Sequence, residues 1–287
     1  MKWTKVLQLG LVSSLALGAL AACGNEDNAA NTSAEKDGVR VVKVAYDQAG
    51  PPMTFIDENG NATGYDVEVM KLVDEKLEDY EFEYVPTSSD DLLLGVEQGK
   101  YHVGVKNAFW TEERTEKYIF PKEFLGLSSI GLVLTKENAG IKDLSQFASA
   151  GLTLAPIAAN NAQYTVIAEH NEANPDNEVK LEAGEEFTVD VVQWVKEGRV
   201  DGGVIIEGAF NGQVLTEGAP YEKFKDDVVY NEFNVIKTWP VFNKKEQEFA
   251  NAYDEAIKEI KETDALRELS KEFYEKDLFE VLDRVTR

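Results

Sequence analysis

Two passages decide how this chain is read: Glu97–Val105, EQGKYHVGV, and Lys196–Val204, KEGRVDGGV. Each puts a glycine where a helix should stop, then a basic residue, then a glycine inside a short apolar strand. The elements leading up to them also match. Ahead of the first, Val39–Tyr46 (VRVVKVAY) is a β-branched run suited to a buried parallel strand. Gly64–Leu77 follows as a helix with Val69, Met70, Val73 and Leu77 on one stripe. Tyr80, Phe82 and Tyr84 alternate in a strand, Ser89–Gln98 is a helix with Leu92, Leu93 and Val96 inward, and His102–Val105 closes the unit. Ahead of the second, Leu152–Pro156 reads as a strand, Asn161–Asn171 as a helix, Val179–Leu181 as a strand and Phe187–Lys196 as a helix, with Val200–Ile206 closing. A β-α-β-α-β unit written twice predicts an α/β protein of two lobes.

Between the units, Ser129–Lys136 (SIGLVLTK) is extended, and Phe233–Val241 (FNVIKTWPV) is a second extended candidate. The last helices, Gln247–Thr263 and Ala265–Tyr274, carry apolar residues at Phe249, Tyr253, Ile257 and Ile260, then Leu266, Leu269 and Phe273. If these return to the first lobe, two strands join the lobes, and such a pair is a hinge over a cleft.

The first passage runs on through His102–Pro121, HVGVKNAFWTEERTEKYIFP. Thr111 is placed to cap a helix whose first turn holds Glu112 and Glu113, where acids suit the helix dipole. Arg114 falls one turn in, so its side chain leans back over the carboxyl end of the strand. That is where open α/β sheets bind ligands, and a guanidinium there offers a planar fork to a carboxylate or phosphate. The same spacing also permits a surface Arg paired with Glu113 or Glu116.

Residues 1–22 carry Lys2 and Lys5 and then an apolar run from Val6 to Ala22, the pattern of an export signal. Leu20-Ala21-Ala22-Cys23-Gly24 resembles the lipobox of bacterial lipoproteins, which implies cleavage before Cys23 and lipid on its sulfur. Cys23 is the single cysteine of 287 residues, so no intramolecular disulfide can form. Two or more acyl chains, such as palmitate, would hold the protein at the membrane. Residues 23–38, rich in Asn, Asp, Ala and Ser, read as a flexible tether. The 53 acids against 29 Lys and Arg give a formal charge of −24, which repels nucleic acid and anionic lipid.

The layout resembles the polar amino-acid solute-binding proteins of ABC importers (family 3 type). The likeness is carried by Asp47-Gln48-Ala49-Gly50-Pro51-Pro52-Met53-Thr54-Phe55, Asp57-Glu58-Asn59-Gly60, Gly64-Tyr65-Asp66-Val67, Thr111-Glu112-Glu113-Arg114 and Ala265-Leu266-Arg267-Glu268-Leu269-Ser270. It covers Val39–Phe279 in order. The resemblance implies the type II periplasmic-binding-protein fold, with residues 39–130 plus 240–287 as lobe 1, residues 131–239 as lobe 2, and a two-strand hinge. It gives Arg114 the ligand's α-carboxylate and Asp47 its ammonium. Asn107 and Phe109 line the cleft, and Asn160, Asn161 and Gln163 stand in the turn that opens the lobe-2 helix and presents N–H donors. Phe109 stands where the family usually has Ser or Thr. Gly50 and Ser89 stand where it often has aromatic rings, which widens the pocket; Phe109, Trp110, Tyr164 and Phe210 are candidate replacement walls. Ile206 occupies the place of the lobe-2 acid, and Glu207, one residue later, could substitute only if a bulge turned it inward. Lys106–Arg114 and Ala159–Tyr164 look most like cystine-type binding proteins.

The expected protein is therefore a lipid-anchored receptor on the extracytoplasmic face of the cell membrane. It captures an amino acid, with L-cystine or another large polar one as the leading candidate, and delivers it to an ABC permease. It is expected to be a monomer without cofactor or metal, to touch the membrane only through its lipid, and not to be an enzyme. The alternatives are a cyclohexadienyl-dehydratase-like enzyme on the same fold and a ligand-sensing receptor or adhesin subunit. Of the two histidines, His102 reads as structural in its strand and His170 lies on a polar helix end; no nucleophilic triad can be assembled, and the acid pairs Glu185–Glu186 and Asp226–Asp227 read as solvated faces.

Overall fold

The computed structural model describes residues 35–36, 38–159, 161–184 and 190–286. The expected signal peptide, Cys23, most of the tether, Asn160, Glu185, Glu186 and Phe187 lie outside those residues. Among the described residues, no helix is long and apolar enough to cross a membrane.

The first lobe is built on β1 (Val39–Asp47), α1 (Tyr65–Asp74), β2 (Tyr80–Thr87), α2 (Ser89–Glu97), β3 (Val103–Ala108) and α3 (Glu112–Lys117). β1 lies between β2 and β3 and is parallel to both, with Asp47 opposite Thr87 and Tyr46 opposite Val105. Its two faces are both covered: Val42, Val44 and Tyr46 enter one core cluster and Ala45 another. That accounts for the near-continuous apolar run.

β4 (Gly126–Thr135) leaves this lobe, followed by α4 (Leu144–Ser149), α5 (Ala162–Ala173), α6 (Val191–Lys196), β5 (Gly202–Ile206) and the short α7 (Glu207–Phe210). β6 (Val228–Asn243) then runs back beside β4, antiparallel from Val228↔Thr135 to Thr238↔Gly126, and ends against β3 at Val241↔Gly104. β4 and β6 thus pass through both lobes. Leu127 and Val235 belong to the first-lobe core, whereas Ile130, Leu132 and Leu134 belong to the second. Both strands outrun the sequence expectation because they pair with each other along their length. The chain finishes on the first lobe with α8 (Gln247–Lys261), α9 (Ala265–Tyr274) and α10 (Leu278–Val285), whose Phe249, Tyr253, Ile257, Leu266, Leu278 and Val281 fill the first-lobe core.

The echo between the two quoted passages has a structural cause. Gly99 and Gly198 take φ of +78° and +68°, and both close the same helix-ending motif. Gly99 N–H donates to Val96 O and Lys100 N–H to Gly95 O; Gly198 N–H donates to Val195 O and Arg199 N–H to Trp194 O. Gly104 and Gly203 let a helix lie close on a strand. A Cβ at Gly104 would come within 2.5 Å of Leu92 on α2, and one at Gly203 within 2.4 Å of Val191 on α6.

The second lobe departs from expectation in its first two strands. Leu152–Pro156 is reduced to one parallel bridge, Leu154↔Gly202, and the Val179–Leu181 strand does not form; the nearby pairing is the bridge Ile157↔Ala183. Pro156 has no N–H to continue the ladder. At Val179 the side chain of Asn171 occupies both backbone groups, at 2.9 and 2.8 Å.

Candidate functional site: a cavity between the lobes

Thr111 caps α3 as its spacing predicts, its hydroxyl accepting the Arg114 N–H at 3.3 Å. The Arg114 guanidinium turns back and donates through Nη1 to the Phe109 carbonyl at 2.8 Å. It is half-buried, and among the described residues no carboxylate, Glu113 and Glu116 included, stands within ion-pair distance of it. Burial lowers its pKa, with Tyr118 and Glu113 pulling the other way. A desolvated cation without a counter-charge is costly unless an anion completes it.

Arg114, Phe109 and Thr111 form the first-lobe wall of a cavity of about 230 Å³. The second lobe supplies the rest: Asn161, Ala162 and Gln163 from the start of α5, Ile206 from β5, and Ala209 and Gln213 beyond it. Asn161 caps α5 by accepting the Gln163 N–H at 3.0 Å. The Ala162 amide, at the first helical position, has no acceptor within the helix. The Gln163 side chain is buried, and its Oε1 has no hydrogen-bond partner. Arg114 from the first lobe and the start of α5 from the second thus line the same cavity, and both suit an anion.

The other candidate residues lie around this centre. Asp47 ends β1 and accepts the Ala49 N–H at 3.1 Å. The β1–β3 register places it beside Lys106, at the carboxyl end of the sheet but outside the 230 Å³ cavity. Asn107 is the linchpin of the turn leaving β3: its φ is +56°, its N–H donates to Asp66 Oδ2 at 2.8 Å, and its Oδ1 accepts the Ser128 hydroxyl at 2.7 Å. Asp66 is wholly buried, and that burial pushes its carboxyl up to about 7. Glu207 opens α7 and pairs with Lys276 at 2.5 Å, lining a separate cavity with Ser128, Ser129 and Asn211. Ile206 is the residue at the site cavity.

Of the replacement walls, only Phe109 reaches this cavity. Trp110 is exposed on a neighbouring groove, Tyr164 packs on the second core, and Phe210 stacks on Tyr230 at 5.3 Å. His102 is structural: it is buried, Nδ1 accepts the Lys43 N–H at 2.8 Å, and burial with Arg40 and Lys43 depresses its pKa to about 4. Among the described residues no His, Cys, Asp and Glu cluster could hold a metal. Sequence reasoning missed that Asp66 supports Asn107 from below and that Lys106 neighbours Asp47 at the sheet's carboxyl end. Asp66 stood in the quoted Gly64–Val67 passage, and Lys106 adjoined Asn107.

Known proteins match this chain over most of its length. Residues 42–276 fit the profile of bacterial extracellular solute-binding proteins, family 3. The L-cystine-binding protein TcyK of Bacillus subtilis is 27% identical over 272 residues, covering 93% of this chain and 94% of that protein. Among solved structures, the "probable amino-acid ABC transporter extracellular-binding protein ytmK" of Bacillus subtilis superposes with a TM-score of 0.59 at 24% identity, over 82% of this chain and 97% of that one. The L-cystine solute receptor of Neisseria gonorrhoeae does so with a TM-score of 0.55 at 22% identity, over 83% and 94%. Such likenesses give the fold, a type II periplasmic-binding-protein architecture of two lobes on a two-strand hinge. With the profile spanning most of its length, the chain belongs to the bacterial extracellular solute-binding proteins of family 3.

Proposed function

We propose that the protein is a receptor that captures an amino acid between its lobes and delivers it to an ABC permease, with L-cystine the leading ligand. The observation that carries this reading is Arg114: a half-buried guanidinium, held by the Phe109 carbonyl and lacking a carboxylate partner among the described residues, on the wall of an interlobe cavity. Arg114 takes the α-carboxylate on the first lobe, and the lobes then close so that the start of α5 adds amide donors to the same group. Asp47 supplies the charge for the ammonium. The walls at Val204, Ile206 and Ile157 exclude water and suit a thioether or disulfide body. Curated relatives that bind L-cystine support this choice of ligand.

Lobe 1 comprises residues 39–130 plus 240–287 and lobe 2 residues 131–239, so closure bends β4 and β6. Cys23 carries the lipid that keeps the monomeric receptor on the extracytoplasmic face of the membrane. A binding protein returns its ligand unchanged. The test is to denature protein purified from its own cells and identify the released small molecule by mass spectrometry, alongside uptake of labelled L-cystine by cells lacking the gene. An intact amino acid released and uptake lost are expected. A chemically altered product, or unimpaired uptake of every amino acid tried, contradicts the reading.

A further inference from the structure

Resting on that receptor reading, we infer that Lys106 is a specificity-determining residue, the anchor for a second anionic group on the ligand, so that the preferred solute is an amino acid bearing two carboxylates. Other half-buried amines in this acidic chain have carboxylates: Lys261 has Glu123 at 2.8 Å, and Lys276 has Glu207 and Glu232 at 2.5 Å each. Among the described residues, Lys106 has no carboxylate within ion-pair distance, and nor has Arg114. In a chain of formal charge −24, two half-buried cations without an ion-paired acid, on either side of the turn from β3 to α3, are set apart from the general pattern.

Position gives this meaning. Tyr46 faces Val105 across the parallel strands β1 and β3, so Asp47 and Lys106 are the next residues along at the carboxyl end of the sheet. Arg114 follows on α3. The Lys106 amine donates to Ser89 Oγ and lies 3.5 Å from the Ser89 carbonyl oxygen. An ammonium has three protons, so Ser89 fixes the amine and leaves one donor over. Burial lowers the Lys106 pKa, as does the Arg114 charge, while Asp47 and Asp90 raise it. Arg114 and Lys106 thus share the carboxyl end of the first-lobe sheet with Asp47, while the exposed Asp90 at the start of α2 acts on Lys106 from further out. A zwitterion uses Arg114 and Asp47 and leaves Lys106 with no carboxylate within ion-pair distance; a second carboxylate completes the set.

The experiment titrates the full chain, unfolded and refolded in mild detergent to strip carried-over ligand, against two pairs that differ by one carboxylate charge. The pairs are L-cystine with the mixed disulfide of cysteine and cysteamine, and L-glutamate with L-glutamine. Parent protein should prefer the dicarboxylate of whichever pair it binds by about 10-fold or more. Lys106→Met should erase that preference while binding the monocarboxylate as the parent does. A parent without the preference, or a Lys106→Met protein that keeps it or loses both ligands equally, overturns the inference and leaves Ser89–Lys106 a structural brace. Parallel thermal melts confirm that the variant folds; if it does not, Lys106→Arg must retain the preference or the inference fails. Absence of heat with all four ligands overturns this inference; silence across the remaining amino acids as well contradicts the receptor reading.

Discussion

Asp66 and Asn107 hold the floor of the site in a conformation that side chains resist. A non-glycine residue at φ +56° is strained, and it persists because Asp66 takes its N–H and Ser128 its side-chain oxygen. Burying Asp66 makes stability depend on pH. Its folded pKa, about 7, lies above its ordinary value of 3.8. The folded state therefore binds the extra proton between those values, and the contribution is complete below about pH 4 and lost as pH rises through 7. Each pH unit in that window costs on the order of 1 kcal/mol. Asp66→Asn keeps an acceptor for Asn107 and removes the titration, so at pH 8 the variant should melt above the parent, and at pH 4 near it. Equal pH dependence of the two melting curves would refute this. His102 works in the opposite sense. Its pKa is depressed from 6.5 to about 4, so its contribution is complete above 6.5 and lost as pH falls through 4. His102→Gln, which can still accept the Lys43 N–H, should shift acid unfolding measured by circular dichroism to lower pH; an unmoved midpoint counts against it. Neither property was legible in sequence. A left-handed Asn and a buried Asp are spelled like any turn Asn and any first-turn acid.

At the scale of elements, the glycines of the repeated passages carry the prediction. Gly104→Ala and Gly203→Ala should each destabilise by about 1–3 kcal/mol through overpacking against α2 and α6. Gly208→Ala, with nothing within 4 Å and no positive φ, should change little. Urea denaturation midpoints separate these outcomes, and three equal midpoints would refute the packing account. The first lobe could be read because β1 is buried on both faces, β2 alternates aromatic and exposed residues, and its helices carry clear stripes. The second lobe was legible only where it repeats that pattern. Pro156 and the Asn171 side chain replace ladder hydrogen bonds at the two places where strands were expected, and neither effect shows as a break in apolar periodicity. α10 went unread although Asp277 caps it by accepting the Phe279 N–H and Leu278, Phe279 and Val281 are its buried residues. Arg114 and its cap were legible because helix-start spacing is local. Where Glu207 ends up depended on Lys276, far along the chain.

The whole molecule turns on β4 and β6 and on one lysine that ties the lobes beside them. Lys276, beyond α9 on the first lobe, reaches Glu207 of α7 and Glu232 of β6 at 2.5 Å each, and Ser129 also donates to Glu232 at 2.6 Å. Lys276→Met leaves those two carboxylates without the amine between them. The ligand-free variant should be more open, seen as a larger radius of gyration in solution scattering; an unchanged radius would mean that the Lys276 bridge does not set the lobe angle. The central claim is simpler, that Arg114 completes its charge with a ligand carboxylate. Its most direct test is calorimetric titration of refolded parent and Arg114→Met proteins with L-cystine and the single amino acids. Saturable one-to-one binding by the parent to at least one of them is expected, weakened in Arg114→Met by about 2–5 kcal/mol with the melting temperature preserved. Comparable affinity in the two proteins would contradict it.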